Sequence, residues 1–253
     1  MKIKIAITDK RIPREAVARL SALGFHTITL EPFSRLGEGV ASHTDMLIAR
    51  SEDILFSYAD YCEENPLLFD TLYKLLSPVG VSFRFLSDEA RADYPHDAAL
   101  NVLVMGRHVF AKEDSVSQGL LGHFLSLGYR TVGVKQGYPA CTVLKISENA
   151  AATADQGMAR AMSDAGIKVS IIEEGHIILP PFKYGFIGGC AGRHNNTVYF
   201  AGCIEKHPSY RIIKEAAEEE GVELVSLGDF PLIDVGGILF AEYDLDEDGE
   251  NRH

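Results

Sequence analysis

Apolar positions along this chain change from helical to strand spacing five times, and a glycine marks each change. Helix-like stretches end at Gly24, Gly80, Gly128, Gly166 and Gly221, and a strand-like stretch with β-branched residues follows each glycine. A glycine just past a helix end adopts the left-handed backbone that closes the helix without steric cost. The pattern predicts a helix-then-strand unit used five times, which indicates a repeat architecture.

Each unit continues through a loop to a second apolar segment. The helices are expected to be about three turns long and the strands short, which is typical of an α/β fold. If the units close into a ring, equivalent positions point at a shared centre. The second segments begin at Asp45, Asn101, Thr142, Gly188 and Gly236, and the helices are expected at 14–23, 66–76, 115–127, 156–165 and 209–220.

Composition and net charge limit the classes of binding partner that we expect. The 253 residues are 46% hydrophobic and carry a net charge of −12, so we expect a sizeable core and neither a nucleic acid nor an anionic membrane as partner. The N-terminus enters a strand pattern without a signal-peptide core, and the four cysteines are expected to be reduced, which indicates a cytoplasmic protein. We predict one domain over residues 1–243 and an acidic, disordered tail over 244–253.

Polar residues with catalytic potential stand at corresponding places, just before or within the second apolar segments. They are His43 and Asp45 in the first unit, Asn101 in the second, Cys141 in the third and Asp234 in the fifth. A thiolate is a nucleophile, a histidine can shuttle protons, and a carboxylate can orient the histidine. A closed ring would bring these residues together.

The chain resembles the pentein superfamily of guanidine-modifying enzymes. His43-Thr44-Asp45 is similar to the His-x-Asp strand of arginine deiminase, and Ala140-Cys141-Thr142-Val143-Leu144 to the Cys-Ser-Val-Leu strand of dimethylarginine dimethylaminohydrolase. Asp234-Val235-Gly236-Gly237 resembles an acidic-Gly-Gly strand that precedes the histidine unit, here only cyclically, which indicates a circular permutation. The resemblance implies a five-fold pseudo-symmetric α/β propeller of ββαβ-type repeats around a central channel.

The resemblance also implies roles. Cys141 would attack an amidine-like carbon, and His43 would protonate the leaving amine and activate water. Asp45 would hold a cationic substrate with Asn101 as a further substrate-binding candidate, and Asp234 would orient His43 or bind substrate. The implied function is a cysteine-dependent hydrolase or transferase acting on an amidine or guanidine C–N bond of a small molecule, without a cofactor. The fourth unit has only glycines where the family places a further substrate-gripping acid, so the substrate stays open.

Other interpretations remain at this stage. Each candidate residue also has a purely structural interpretation. Cys141 can be an inert core thiol, and His43 can be a loop residue. Asp234 can cap a turn, and Asn101 can be a strand-end residue. Cys190, in a glycine-rich loop, is a rival nucleophile. The remaining histidines show no metal-ligand spacing, so no metal is expected. A non-catalytic binding protein on the same fold is the alternative function, and the oligomeric state stays open.

Overall fold

A computed structural model describes residues 2–88 and 90–244 of the chain. The helices are α1 (Arg14–Ala22), α2 (Thr44–Leu47), α3 (Ala59–Glu64), α4 (Pro66–Leu76), α5 (Gln118–Ser126), α6 (Pro139–Thr142), α7 (Gln156–Asp164) and α8 (Tyr210–Glu219). The strands are β1 (Lys2–Asp9), β2 (Phe25–Leu30), β3 (Ala49–Ser51), β4 (Ile54–Tyr58), β5 (Ser82–Leu86), β6 (Leu103–Met105), β7 (His108–Ala111), β8 (Arg130–Gly133), β9 (Val143–Lys145), β10 (Ala150–Thr153), β11 (Lys168–Ile171), β12 (Ala191–His194), β13 (Thr197–Phe200), β14 (Glu223–Ser226) and β15 (Leu239–Asp244).

Within the described residues the strands form five three-stranded sheets of one design. A short first strand pairs antiparallel with the second, and the third pairs parallel with the second after a helical connection. The sheets are β3-β4-β5, β6-β7-β8, β9-β10-β11, β12-β13-β14 and β15-β1-β2. This ββαβ repeat confirms the predicted five-fold pseudo-symmetric α/β propeller.

The fifth sheet combines strands from opposite ends of the sequence. β15 runs antiparallel to β1, with Ala241 opposite Ile5 and Leu239 opposite Ile7. The units therefore divide differently from the expectation, because each second apolar segment is the first strand of the next sheet. The prediction of one domain over 1–243 stays a prediction, and the predicted acidic tail lies outside the described residues beyond Asp244.

The first strands of all five sheets contribute to one cavity. This cavity of about 770 Å³, hereafter the channel, is lined by residues from β3, β6, β9, β12 and β15. The expectation that equivalent positions point at a shared centre is therefore confirmed for these strands. No helix among the described residues has both the length and the apolar character to cross a membrane.

The helices cover the sheets with their apolar faces, and glycines end the helical segments as predicted. Leu20, Leu72, Leu120 and Ile213 are fully buried, and burying one such side chain contributes about 1.5–3 kcal/mol. The glycine that ends each helical segment has a positive φ: Gly24 (+86°), Gly80 (+81°), Gly128 (+77°), Gly166 (+84°) and Gly221 (+65°). A Cβ would have free space at each of these positions except Gly128, where the Arg107 side chain lies 3.3 Å away.

Two predicted strand segments begin as helices. Asp45 lies on α2 and Cys141 on α6, each a four-residue helix placed just before an inner strand. The strand interpretation of these positions was wrong, because the chain makes one tight helical turn before it extends. The two turns lie close together, since the Cys141 thiol contacts the Asp45 carboxyl.

Candidate active site

His43 lies at the N-terminal end of α2 and is buried, with a side-chain exposure of 1%. The following turn is held against the chain before β15, since the Asp45 amide donates to the Gly236 carbonyl over 3.0 Å. Gly236 has φ +65°, and a Cβ there would lie 2.5 Å from the His43 Cβ. Glycine at this position therefore allows the close approach that holds the histidine.

Cys141 is fixed by its neighbours on both sides. The Asn101 Oδ1 accepts from the Ala140 amide over 2.9 Å, and the Gly189 amide donates to the Cys141 carbonyl over 3.0 Å. The Cys141 thiol contacts the Asp45 Oδ2 at 2.5 Å, and the Asn101 Nδ2 lies 3.9 Å from the Cys141 Sγ. Asn101 thus matches the strand-end interpretation and also borders the thiol.

The structure brings the predicted catalytic residues together. One ligand atom each of His43, Cys141 and Asp234 lies within 4.8 Å of the others. Asp234 accepts from the Phe186 amide over 2.8 Å and from the Gly236 amide over 3.0 Å, so it is a turn cap as well as a neighbour of the histidine. The same three ligand atoms are close enough to hold a metal ion, so the expected absence of a metal stays a prediction.

Asp9 is a second carboxylate beside the histidine that the sequence reasoning missed. The His43 Nε2 lies 3.8 Å from the Asp9 Oδ2 and 3.8 Å from the Asp234 Oδ1, too far for hydrogen bonds but close for charges. Asp9 is held by the Arg11 guanidinium, with one contact of 2.6 Å, and by the Ser42 hydroxyl at 2.8 Å. Its only signal in the sequence is an acid at the end of the first strand.

Burial sets the resting charges of the site. Desolvation lowers the pKa of His43, against the opposing effect of Asp234 and Asp9. Desolvation likewise raises the pKa of the Asp45 carboxyl to about 8 and raises the pKa of the Cys141 thiol, with Asp45 and Asp234 adding to the effect. Asp45 is partly exposed as a residue, while its Oδ1 is buried and makes no hydrogen bond of good geometry. The nearby Asn101 amide opposes the rise in the pKa of this carboxyl. At neutral pH the imidazole and thiol are uncharged and the thiol is not activated.

At Gly188 and Gly189 the fourth unit supplies backbone to the site rather than side chains. A Cβ at Gly189 would lie 2.0 Å from the Asp234 Oδ1, and one at Gly188 would lie 2.3 Å from the Ala140 and Val143 carbonyl oxygens. An acid of the expected kind is therefore missing, and no side chain would fit there. Cys190 is fully buried, lies in the apolar core and contacts the Ile187 carbonyl at 3.1 Å, which matches a core thiol rather than the rival nucleophile.

Two cavities flank the cluster. A pocket of about 160 Å³, hereafter the apolar pocket, is lined by His43, Cys141 and Asp234 together with Val40, Met46, Tyr138, Leu179, Phe182, Tyr184 and Phe186. The channel reaches Thr44 and Asp45 from the other side. The thiol therefore faces the apolar pocket, while the carboxyl that contacts it borders the channel.

Comparison with solved structures identifies the fold. The chain is similar to a citrulline complex of a DDAH (dimethylarginine dimethylaminohydrolase) variant from Pseudomonas aeruginosa, at 11% identity and a TM-score of 0.55, covering 88% of this chain and 90% of that one. It is similar to SxtG, an amidinotransferase from Microseira wollei in the saxitoxin biosynthetic pathway, at 10% identity and a TM-score of 0.56, with 92% and 94% covered. It is also similar to agmatine deiminase from C. jejuni, at 6% identity and a TM-score of 0.52, covering 90% of this chain and 91% of that one.

These likenesses show that the chain has the pentein fold, as its motifs indicate; the circular permutation stays a prediction. The chain has no match among curated proteins. A protein-family model matches residues 7–239, which is most of the sequence. The chain therefore belongs to DUF6873, a family of unknown function.

Proposed function

We propose that this protein is a cysteine-dependent enzyme that breaks a C–N bond of an amidine or guanidine. The observation that carries the proposal is the convergence of His43, Cys141 and Asp234 within 4.8 Å on a pocket wall. Proteins of the same fold named as a dimethylaminohydrolase, an amidinotransferase and an agmatine deiminase support this class.

A cationic substrate would activate the site by its own charge. An amidinium beside the Cys141 thiol and the Asp45 carboxyl favours the charged form of both groups, and so reverses the effect of burial on their pKa values. The planar N–H groups of an amidinium match carboxylate oxygens, and the Asp45 Oδ1 has no partner in the described structure. Asp45 and Asp234 would therefore hold the cation, and the thiolate would form beside its carbon.

The reaction balances without a redox partner. His43 takes the proton of the Cys141 thiol, and the resulting thiolate attacks the amidine carbon to form a C–S bond. The C–N bond to the leaving amine then breaks, and His43 gives that amine a proton. Water deprotonated by His43 attacks the same carbon, the C–S bond breaks, and the thiolate leaves. The products are ammonia or an amine and a urea or amide. An amine that attacks in place of water makes the same sequence a group transfer.

Release of ammonia or amine from small guanidines and amidines tests the proposal. The wild-type protein should release the amine and show a covalent adduct on Cys141 by mass spectrometry after an acid quench. Cys141→Ser should do neither, whereas Cys190→Ser should behave like the wild type. Release that survives in Cys141→Ser, or no release and no adduct with any compound, would favour the non-catalytic binding protein.

A further inference from the structure

The walls of the apolar pocket differ in chemistry from its catalytic end. Val40, Met46 and Leu179 supply aliphatic surface, and Phe182 and Phe186 supply aromatic rings. Among the described residues, the pocket lining contains no lysine or arginine, and its acid and histidine belong to the proposed catalytic cluster. Apart from Glu174 and Lys183, which lie beside Tyr184, a charged tail on a substrate would meet no side chain of opposite charge on these walls.

The two tyrosines of the pocket offer ring faces rather than free hydroxyls. The Tyr138 hydroxyl donates to the Asp97 Oδ2 over 2.6 Å. The nearby Glu174 carboxyl raises the pKa of Tyr184. Ring faces of this kind pack well against an apolar ring of a ligand.

Size sets a further limit. The pocket holds about 160 Å³, and an apolar cavity of about 150 Å³ is large enough to bind benzene. Phe182 lies at the rim with 54% exposure, and a Cβ on Gly39 would lie 2.4 Å from its ring, so this ring is seated on the backbone of the segment before α2. The pocket therefore suits one ring or one short chain beside the reacting carbon.

We propose, on the basis of the proposed function, that the substrate is an amidine or guanidine with a short uncharged alkyl or aryl tail. Placing an ammonium or carboxylate tail against the aliphatic and phenylalanine side chains removes it from water without an ion-pair partner there, which is costly. A neutral tail instead gains from burial. Amino-acid guanidines and diamine-derived guanidines should therefore be poor ligands.

Calorimetry on Cys141→Ser separates recognition from chemistry, because this variant cannot form the covalent adduct. Benzylguanidine should bind at least tenfold more tightly than agmatine, with its ammonium tail, or 4-guanidinobutyrate, with its carboxylate tail. Equal or tighter binding of either charged compound, or no binding of benzylguanidine, would overturn the inference. Turnover of benzylguanidine by the wild-type protein is measured separately, so failure of the proposed function appears as binding without release.

A second experiment tests the contribution of the Phe182 ring to binding of the tail. Phe182→Ala in the Cys141→Ser background should weaken the binding of benzylguanidine about tenfold and leave the binding of agmatine nearly unchanged. Tyr94→Ala is the matched control, because Tyr94 is an equally exposed aromatic residue (52%) that packs on Tyr138 outside the pocket lining. An equal loss with both variants, or none with Phe182→Ala, would contradict the assignment of the tail to this pocket.

Discussion

At the scale of single residues, burial favours the uncharged forms of the Asp45 carboxyl, the Cys141 thiol and the His43 imidazole. The Asp45 carboxyl and the Cys141 thiol are in contact at 2.5 Å, and burial raises the pKa of both. His43 is buried between two carboxylates at 3.8 Å, yet desolvation lowers its pKa. If the proposed function holds, a ligand that brings its own positive charge would favour the charged forms of Asp45 and Cys141.

Stability should depend on pH through Asp45. Its pKa rises from 3.8 in the unfolded chain to about 8 in the fold. The folded protein thus holds this proton more tightly, and the associated stabilisation is complete below about pH 4 and lost as the pH rises to 8. Asp45→Asn avoids this loss, so its free energy of unfolding should gain about 2 kcal/mol or more over the wild type between pH 4 and 8.

Urea unfolding at several pH values measures this difference. Thr44→Val, a neutral change at the neighbouring buried position, is the control, and its curve should run parallel to that of the wild type. A constant difference between Asp45→Asn and the wild type would show that Asp45 is already ionised in the fold.

Asp9 should act on the reaction through His43. Asp9→Asn removes a charge that raises the pKa of His43, and Arg11→Gln removes a charge that lowers it. If the proposed function holds, Asp9→Asn should reduce kcat about tenfold or more and move the histidine limb of the pH–rate profile to lower pH. Arg11→Gln should move that limb to higher pH. A fall in kcat with an unmoved profile would reduce Asp9 to a structural role.

At the scale of elements, local sequence patterns were sufficient to predict the repeated helix-and-strand unit. They were not sufficient to predict the short turns that carry the candidate site residues. Periodicity and glycine placement predicted α4 with its bounds and all five left-handed glycines, because helix ends are local features. The turns that carry Asp45 and Cys141 were predicted as strands, since four residues leave no period to detect. Asp9 was missed because the Ser42 hydroxyl that it binds lies 33 residues away in the sequence, and His43 comes directly after Ser42. The motif residues converged as the resemblance implied.

Glycines of the fourth unit should be intolerant of a side chain. Gly188→Ala places a Cβ 2.3 Å from two backbone carbonyl oxygens that cannot rotate away, so we expect a loss of about 2 kcal/mol or more. Gly122→Ala is the matched control, since it lies in α5 with no atom within 4 Å of the new Cβ. It should stabilise the protein by about 0.5–1 kcal/mol. Equal effects in thermal unfolding would contradict this packing.

At the scale of the whole molecule, the ring is closed by a sheet built from opposite ends of the sequence. Phe240 on β15 packs on Phe25 at 4.9 Å and on Tyr199 at 5.1 Å between ring centroids. Tyr199 belongs to the neighbouring sheet, so this aromatic group joins two units across the seam. The three clustered residues proposed as catalytic, His43, Cys141 and Asp234, come from three different units.

Phe240→Ala tests the seam. Truncation of this buried ring (6% exposed) should cost about 3–5 kcal/mol in urea unfolding, and unfolding should stay a single transition if residues 1–243 form one domain. Leu67→Ala is the control, because Leu67 is 82% exposed and should change stability by less than about 0.5 kcal/mol. Two separate transitions would contradict the single-domain prediction.

The most direct test of the catalytic assignment compares two alkylating probes of nearly equal shape. Chloroacetamidine carries the positive charge of an amidinium, and chloroacetamide is neutral. At neutral pH the cationic probe should label Cys141 at least about a hundredfold faster than the neutral one, with Cys62, Cys190 and Cys203 unmodified, because only a cation favours the thiolate beside Asp45. Equal rates for the two probes, or labelling spread over the other cysteines, would contradict the account.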